Sequence, residues 1–393
     1  MDLLKTIERM ERDVGLVFKR SNVHRDLSAA GELRRPQRGK LFLTKDWHSS
    51  YPWQVLRIAV HTYLSIAANV SGRHFSWSDS KDRMEYSPLG ERLLLCVDLY
   101  RYEQEMLIRD IRDSLRSAAF VESAHFLLFQ ELLVQQADAI KGVKEYLYLE
   151  RHRFTREDAD ALQERLEEAV RALRGTSAQK HNKALYDEAY HAAESIENYL
   201  KGLRGAHPQL EAFAFEICLD TPEGNELAAS PLVKRARYQL SSEFPENFLE
   251  ALKQTAAFVG YLKKFGSAEI KGHLIKLSAT AWGEPRCTLL LLGPEVKQLL
   301  ASGTTQASQL SLIWADFMLG PLGALEGRLG RTMQAPGIRL LPNGEWSLSQ
   351  KNSSAWKALQ DFVDQVFVKE LPFMRLRLPR GRRAWSKGGR PDR

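Results

Sequence analysis

The stretch Glu284-Pro285-Arg286-Cys287-Thr288-Leu289-Leu290-Leu291-Leu292-Gly293 constrains this chain more than any other. A Pro-containing turn leads straight into a continuous apolar run closed by Gly, the signature of a short strand buried in a sheet. The run from His273 to Trp282 reads as a second strand, and the Gly283-Glu284-Pro285 turn between them makes the pair a hairpin. Upstream, residues 210–220 read as another strand, ended by Thr221-Pro222-Glu223-Gly224. Phe244–Phe265 is predicted helical up to Gly266, as are Leu310–Leu319 and Ser354–Val368. Ile338–Leu341 and Trp346–Leu348 are expected to pair around Pro342-Asn343-Gly344. Strand, helix, hairpin, helix is an α+β pattern with an antiparallel sheet.

The first half is patterned differently. Apolar spacing over residues 1–20, at Leu4, Ile7, Val14 and Phe18, predicts an amphipathic helix, and Trp53–Ala68 predicts a more apolar one. Arg34-Arg35-Pro36-Gln37-Arg38-Gly39-Lys40 reads as a basic loop, and Ser76–Pro88 as a polar linker. Leu93–Leu115 and Ala119–Leu149 are long and Gly-poor, with three- and four-residue apolar spacing. Thr155 with Asp158 is a capping-box variant opening a helix over Arg156–Arg174, and Ala178–Leu203 is predicted as the next helix. Tyr186, Tyr190 and Tyr199 fall on or near one face of it and read as core or partner surface rather than chemistry. The expected organisation is N-terminal helical segments and a linker (1–88), a helical bundle (89–205), an α+β domain (206–374) and a flexible basic tail (375–393). No repeat of fixed period is visible.

Charge matters through its location. Of the net +7, all resides in the last nineteen residues, where Arg375, Arg377, Arg380, Arg382, Arg383, Lys387, Arg390 and Arg393 face the single acid Asp392. Such a cluster points to a polyanionic partner, DNA or RNA, because each neutralised phosphate releases counterions. No apolar run reaches the length of a membrane span, and the N-terminus lacks the apolar core of a secretion signal. Three scattered cysteines, Cys96, Cys218 and Cys287, have no CxxC spacing, which fits a reducing cytoplasm.

Common site motifs are absent: there is no phosphate loop, no GxGxxG after a strand, no nucleophile elbow and no HExxH. Glu188 and His191 share a helix face without a second such pair, which reads as a surface pair rather than a metal site. Cys287, within an apolar strand, reads as an inert buried thiol.

Residues 208–388 carry a series of features in order. Asp220-Thr221-Pro222 ends the first strand. Tyr261-Leu262-Lys263-Lys264-Phe265-Gly266 ends the helix before the hairpin. Ile313-Trp314-Ala315 precedes Gly337-Ile338-Arg339-Leu340-Leu341-Pro342-Asn343-Gly344-Glu345-Trp346-Ser347-Leu348, and Arg382-Arg383-Ala384-Trp385-Ser386-Lys387-Gly388 follows. In this order the segment resembles the inovirus-type replication proteins of mobile elements and prophages, also described as YagK/YfjJ C-terminal-domain proteins. The resemblance implies a small antiparallel-sheet domain of the rolling-circle (HUH) type. It also implies DNA nicking, with two strand histidines and an adjacent polar ligand on a divalent metal and a helix tyrosine as nucleophile.

The sequence departs at each of those positions. Arg286 and Thr288 stand where the family has its histidines. The adjacent-strand acid is expected near Leu277 or Ser278, and the helix Phe362–Lys369 holds no tyrosine. The expectation is therefore a non-catalytic DNA- or RNA-binding relative without metal or cofactor, using Arg286 near the former metal position together with Arg375, Arg377, Arg380, Arg382, Arg383, Lys387 and Arg390. Two alternatives stand beside it. One is a nuclease built from His273, Glu269 and Glu284; the other is a protein-interaction module working through the helical half.

Overall fold

The computed structural model describes residues 3–14, 16–19, 40–43, 52–106, 120–140, 154–218, 246–266, 268–279, 285–300, 309–319, 338–369, 371–376, 378 and 383–388. The chain divides into two compact units. The first comprises Met1–Arg109, Glu122–Glu188 and Glu370–Met374; the second comprises Asp110–Val121, Ala189–Lys369 and Arg375–Arg393.

The first unit is mainly helical. It contains α1 (Leu3–Asp13), β1 (Leu16–Lys19), β2 (Lys40–Leu43), α2 (Pro52–Asn69), β3 (Phe75–Ser78), β4 (Arg83–Tyr86) and α3 (Pro88–Met106). A short strand, β5 (Phe120–Glu122), of which only Glu122 belongs to the first unit, leads to α4 (Ala124–Leu128), a π-helical turn (Phe129–Val134), α5 (Gln135–Ala139) and α6 (Arg156–Leu173). The long helix α7 (Thr176–Ala206) gives residues 176–188 to the first unit and 189–206 to the second. Ile58, Tyr63 and Leu64 of α2 are fully buried with Leu89 of α3, Phe126 of α4 and Ala159 of α6 in one core. A polar clip sits inside it: Glu11 accepts from Tyr63 Oη at 2.7 Å and from Arg92 Nε at 3.0 Å, joining α1, α2 and α3. Burial and then the Glu11 charge push the Tyr63 hydroxyl pKa up.

Helix α6 opens as expected. The Thr155 side chain accepts from the Asp158 amide, and the Asp158 carboxylate accepts from the Thr155 amide. Three expectations fail in the helical half, the first because Phe120–Glu122, inside the helix expected over Ala119–Leu149, form the strand β5. The helix predicted over residues 1–20 stops at Asp13, and residues 16–19 instead pair antiparallel with 40–43. The predicted linker at 76–88 contains the β3–β4 hairpin, which turns through Asp82 at φ 45° and continues directly into α3.

The second unit is an α+β fold with a five-stranded, wholly antiparallel sheet. Its strands are β6 (Gln209–Cys218), β7 (Gly272–Ala279), β8 (Pro285–Gly293), β9 (Ile338–Ser349) and β11 (Trp385–Gly388), in the order β11-β7-β8-β6-β9. Helix α8 (Glu246–Phe265) precedes β7, and α9 (Gln309–Leu319) follows β8. Helix α10 (Ser353–Val363) runs into a π-helical turn (Asp364–Val368), followed by the short β10 (Met374–Leu376). The apolar run at 289–292 is the central strand, fully buried as its composition requires. Phe213, Phe215, Ile217, Ile275, Leu277, Leu289 and Leu291 point to one face of the sheet, by alternation and register. Helix α8 packs on that face, where the Cys287 thiol reaches the Ala251 carbonyl, and Phe258 of α8 meets Trp314 of α9 edge-on at 4.7 Å.

The expected hairpin around Pro342-Asn343-Gly344 is instead one continuous strand. Between the pairs Phe213–Glu345 and Phe215–Leu340, two steps along β6 match five along β9, so the Pro-Asn-Gly segment is taken up as a bulge. The basic stretch expected as a flexible tail also departs from expectation. Residues 385–388 form the edge strand β11, anchored by buried Trp385 and paired with β7.

Candidate nucleic-acid interface

Register brings the sequence-predicted positions of β8 onto the second face of the sheet. Arg286 and Thr288 alternate to the same side, with Ser278 and Lys276 of β7 directly across and Glu216 of β6 opposite Thr288. All five side chains are buried, Arg286 to 2% exposure and Glu216 likewise. The Arg286 guanidinium lies 3.4 Å from Glu216 Oε1 and approaches Ser278 Oγ at 3.4 Å, while Lys276 Nζ donates to the Val366 carbonyl at 2.6 Å. Val366 lies in the π-helical turn at 364–368 that ends this helix, where the final carbonyls are left to other donors, and the buried ammonium takes one of them.

This geometry corrects the reading of Arg286. Its guanidinium neither sits at an exposed strand mouth nor faces solvent where a phosphate could reach it; an acid from β6 compensates it internally. The acid facing this row also comes from the other neighbouring strand, not from Leu277 or Ser278 of β7. The site implied by the resemblance does not fit a divalent metal here, because a guanidinium and an ammonium flank the positions and Glu216 is the one carboxylate given to them in the described register. No group of three or more His, Cys, Asp or Glu suited to a metal ion occurs among the described residues.

The remaining basic positions separate into two sets. Arg377, Arg380, Arg382 and Arg390 lie outside the described residues. Arg375 is half-buried. Arg383 and Lys387 are exposed on or beside the edge strand, with the Arg383 guanidinium 5.4 Å from the Trp385 ring centroid. Lys387 Nζ donates to Ser195 Oγ at 2.9 Å and lies 5.7 Å from the Tyr199 ring centroid.

Two cations that the sequence reading did not single out belong to the same region. Lys263 and Lys264, in the last turn of α8, are exposed, and the Lys264 ammonium is 4.9 Å from the ring of exposed Phe265. Burial, and then the Lys263 charge, lower His273 to a pKa of about 4. His273 is paired with Gly388 of β11, so the α8 terminus lies at this edge of the sheet, while Lys387, paired with Leu274, alternates to the other face. The signal for these lysines was legible: basic residues just before the Gly266 stop are a helix C-terminal feature that also projects charge outward.

His273 itself is a packing residue. Its backbone N–H donates to Tyr199 Oη at 3.0 Å, and Tyr199 Oη donates in turn to the Gly388 carbonyl. Burial holds the Tyr199 hydroxyl up at about 12. Glu284, one of the expected nuclease partners, lies outside the described residues, and Glu269 is engaged with Lys271 at 2.7 Å.

One cluster in the first unit has the outline of a nucleophilic triad. Ser65 Oγ is 3.1 Å from His125 Nε2, and Asn182 Nδ2 is 3.3 Å from His125 Nδ1. Asn182 Oδ1 accepts from the Ala124 amide, which fixes the carboxamide with its NH₂ toward the ring. His125 Nδ1 is thereby the acceptor, and Nε2–H donates to Ser65. That is the reverse of the tautomer a general base needs. The His61 ring lies against that of His125, tilted by 44° with centroids 3.9 Å apart, and meets the Tyr186 hydroxyl at 2.8 Å, so Tyr186 closes a structural network.

No protein-family model matches the chain, and neither does any curated protein or solved structure. No helix among the described residues is long and apolar enough to cross a membrane.

Proposed function

We propose that the second unit binds a nucleic acid, DNA or RNA, along a basic rim made by the edge strand β11 and the last turn of α8, and does not cut it. The observation that carries this reading is that four exposed cations stand along one edge of the sheet, on its two faces. Arg383 and Lys387 belong to the edge-strand segment, and Lys263 and Lys264 stand where α8 ends beside His273, the partner of Gly388. Cations spaced along an edge suit a phosphate backbone, and exposed Phe265 offers an aromatic surface next to them. The resemblance to inovirus-type replication proteins supports the same polyanion and a mobile-element or prophage setting. The non-catalytic part rests on the sheet face, where Arg286, Lys276 and Thr288 occupy the neighbourhood in which that family keeps its metal ligands.

A second reading, a protein partner, is favoured by one observation: Tyr190 is 67% exposed on α7, an aromatic ring left mostly in water. The experiment that separates them is fluorescence anisotropy with labelled single-stranded and duplex DNA and RNA over a salt series, with and without Mn²⁺. Salt-sensitive binding without cleavage is the expected result. Metal-dependent strand cleavage would overturn the non-catalytic reading, and no binding to any of the four probes would overturn the nucleic-acid reading.

A further inference from the structure

The first unit contains a cavity of about 310 Å³ between the end of α2, the start of β3 and one face of α6, at the lower end of the range for small-ligand sites. Its lining has two characters. Ala67, Val70, Leu166 and Val170 supply an apolar floor, and Glu167, Arg171 and Arg174 supply charge. Gly72 forms part of the wall at φ +147°, a backbone conformation that residues with side chains rarely adopt, and a Cβ there would meet nothing within 4 Å. The wall at that point is bare backbone facing open space.

The charged groups are unequally committed. Arg174 donates to the Ala68 carbonyl, which ties it to the last turn of α2. Glu167 accepts from Gln163 Nε2 at 2.8 Å, and Gln163 is itself fixed because its Oε1 accepts from the His74 and Phe75 amides. Arg171 is exposed and makes no ion pair or hydrogen bond among the described residues. Two guanidiniums against one carboxylate leave a single excess positive charge on the lining. His74 adds none near neutral pH, since burial lowers its pKa.

We infer that this cavity is a binding site for a small organic monocarboxylate, its carboxylate held by Arg171 and its hydrocarbon body on Ala67, Val70, Leu166 and Val170. A guanidinium matches a carboxylate in shape and charge. Glu167 works against a second negative charge, so a phosphate is less suited, and the apolar floor requires a body that a simple anion lacks. This site is independent of the nucleic-acid reading and stands or falls separately.

The test is isothermal titration of the full-length chain with benzoate, with its uncharged counterpart benzamide, and with inorganic phosphate. The prediction is saturable one-to-one binding of benzoate, with benzamide and phosphate each at least tenfold weaker. Arg171→Gln, an exposed change that leaves the fold intact, is expected to weaken benzoate at least tenfold. Ser71→Trp, placing an indole at the exposed rim, is expected to abolish binding. No saturable benzoate binding, equal affinity for benzamide or phosphate, or benzoate binding indifferent to both variants would each overturn the inference.

Discussion

Arg286 and Glu216, seventy residues apart in sequence, face each other at 3.4 Å on neighbouring strands with both side chains almost wholly removed from water. A buried pair of this kind contributes little net stability over an apolar pair, because desolvating two charges offsets their attraction. Removing one partner is different, since it strands the other charge. Arg286→Met and Glu216→Leu are therefore each expected to destabilise the second unit by about 3–5 kcal/mol. The double variant should recover most of that loss. Urea unfolding of the three variants reads this out, and a double variant as unstable as the sum of the singles would show that the pair is not a unit. At temperatures where the single variants stay folded, nucleic-acid affinity should not change.

The rim makes a different prediction, expressed in salt dependence. Charge reversal at Lys263 and Lys264 in α8, or at Arg383 and Lys387 at the edge strand, should weaken binding of every nucleic-acid sequence alike. Each phosphate left without its cation should reduce the slope of log affinity against log salt by about 0.7–0.9. Anisotropy titrations at several salt concentrations measure this. Unchanged slopes in both pairs of variants would move the interface elsewhere.

Local signals and long-range pairings differed sharply in how far they could be read. The Thr155–Asp158 capping box and the apolar run at 289–292 declare themselves within a few residues, and both stand as expected. The β3–β4 hairpin was hidden because Asp82 makes the positive-φ turn where Gly or Asn would have signalled it. The Pro342-Asn343-Gly344 signal was sound as a break in regular pairing, but whether a break becomes a hairpin or a bulge depends on what β6 presents opposite it. For the site, alternation places Arg286 and Thr288 on one face, yet nothing in their own neighbourhood names Glu216 as the partner. A lone acid within Ala212-Phe213-Ala214-Phe215-Glu216-Ile217, and a lone lysine within His273-Leu274-Ile275-Lys276-Leu277-Ser278, were the available signs, since a charge inside an otherwise apolar strand requires compensation.

The two adjoining histidines of the first unit, His61 and His125, predict a pH dependence. Burial, and then the neighbouring His125, lower His61 to about 3, and burial lowers His125 to about 4, against an ordinary value of 6.5. Below 6.5 the unfolded chain takes up protons that the folded chain refuses, so stability falls as pH drops from 6.5 toward 4 and levels off below the folded values. The limiting slope is about 1.4 kcal/mol per pH unit for each histidine. Amide hydrogen exchange in α2, followed from pH 7 to 5 and corrected for intrinsic exchange, should show this decline. His61→Phe should make it shallower, and a slope indifferent to that change would assign the acid sensitivity to other groups.

The edge strand offers a test of whether order or charge alone makes the rim. A Cβ on Gly388 would meet the His273 ring at 2.2 Å, closer than any side chain tolerates, while Tyr199 holds the Gly388 carbonyl from the other side. Gly388→Ala is therefore expected to displace the end of β11 from β7 at a cost of roughly 1–3 kcal/mol, without altering any charge. His273→Ala removes the obstructing ring, so the double variant Gly388→Ala/His273→Ala should restore pairing; amide exchange at Ile275 and Ser386, which face each other in a hydrogen-bonded pair, follows it. If the rim depends on β11 being held in the sheet beside Lys263, nucleic-acid affinity falls in the single variant and returns in the double. If affinity stays constant in all three proteins, the basic residues act as an unstructured charge cluster, and the geometric part of the functional reading fails even though the polyanion partner remains.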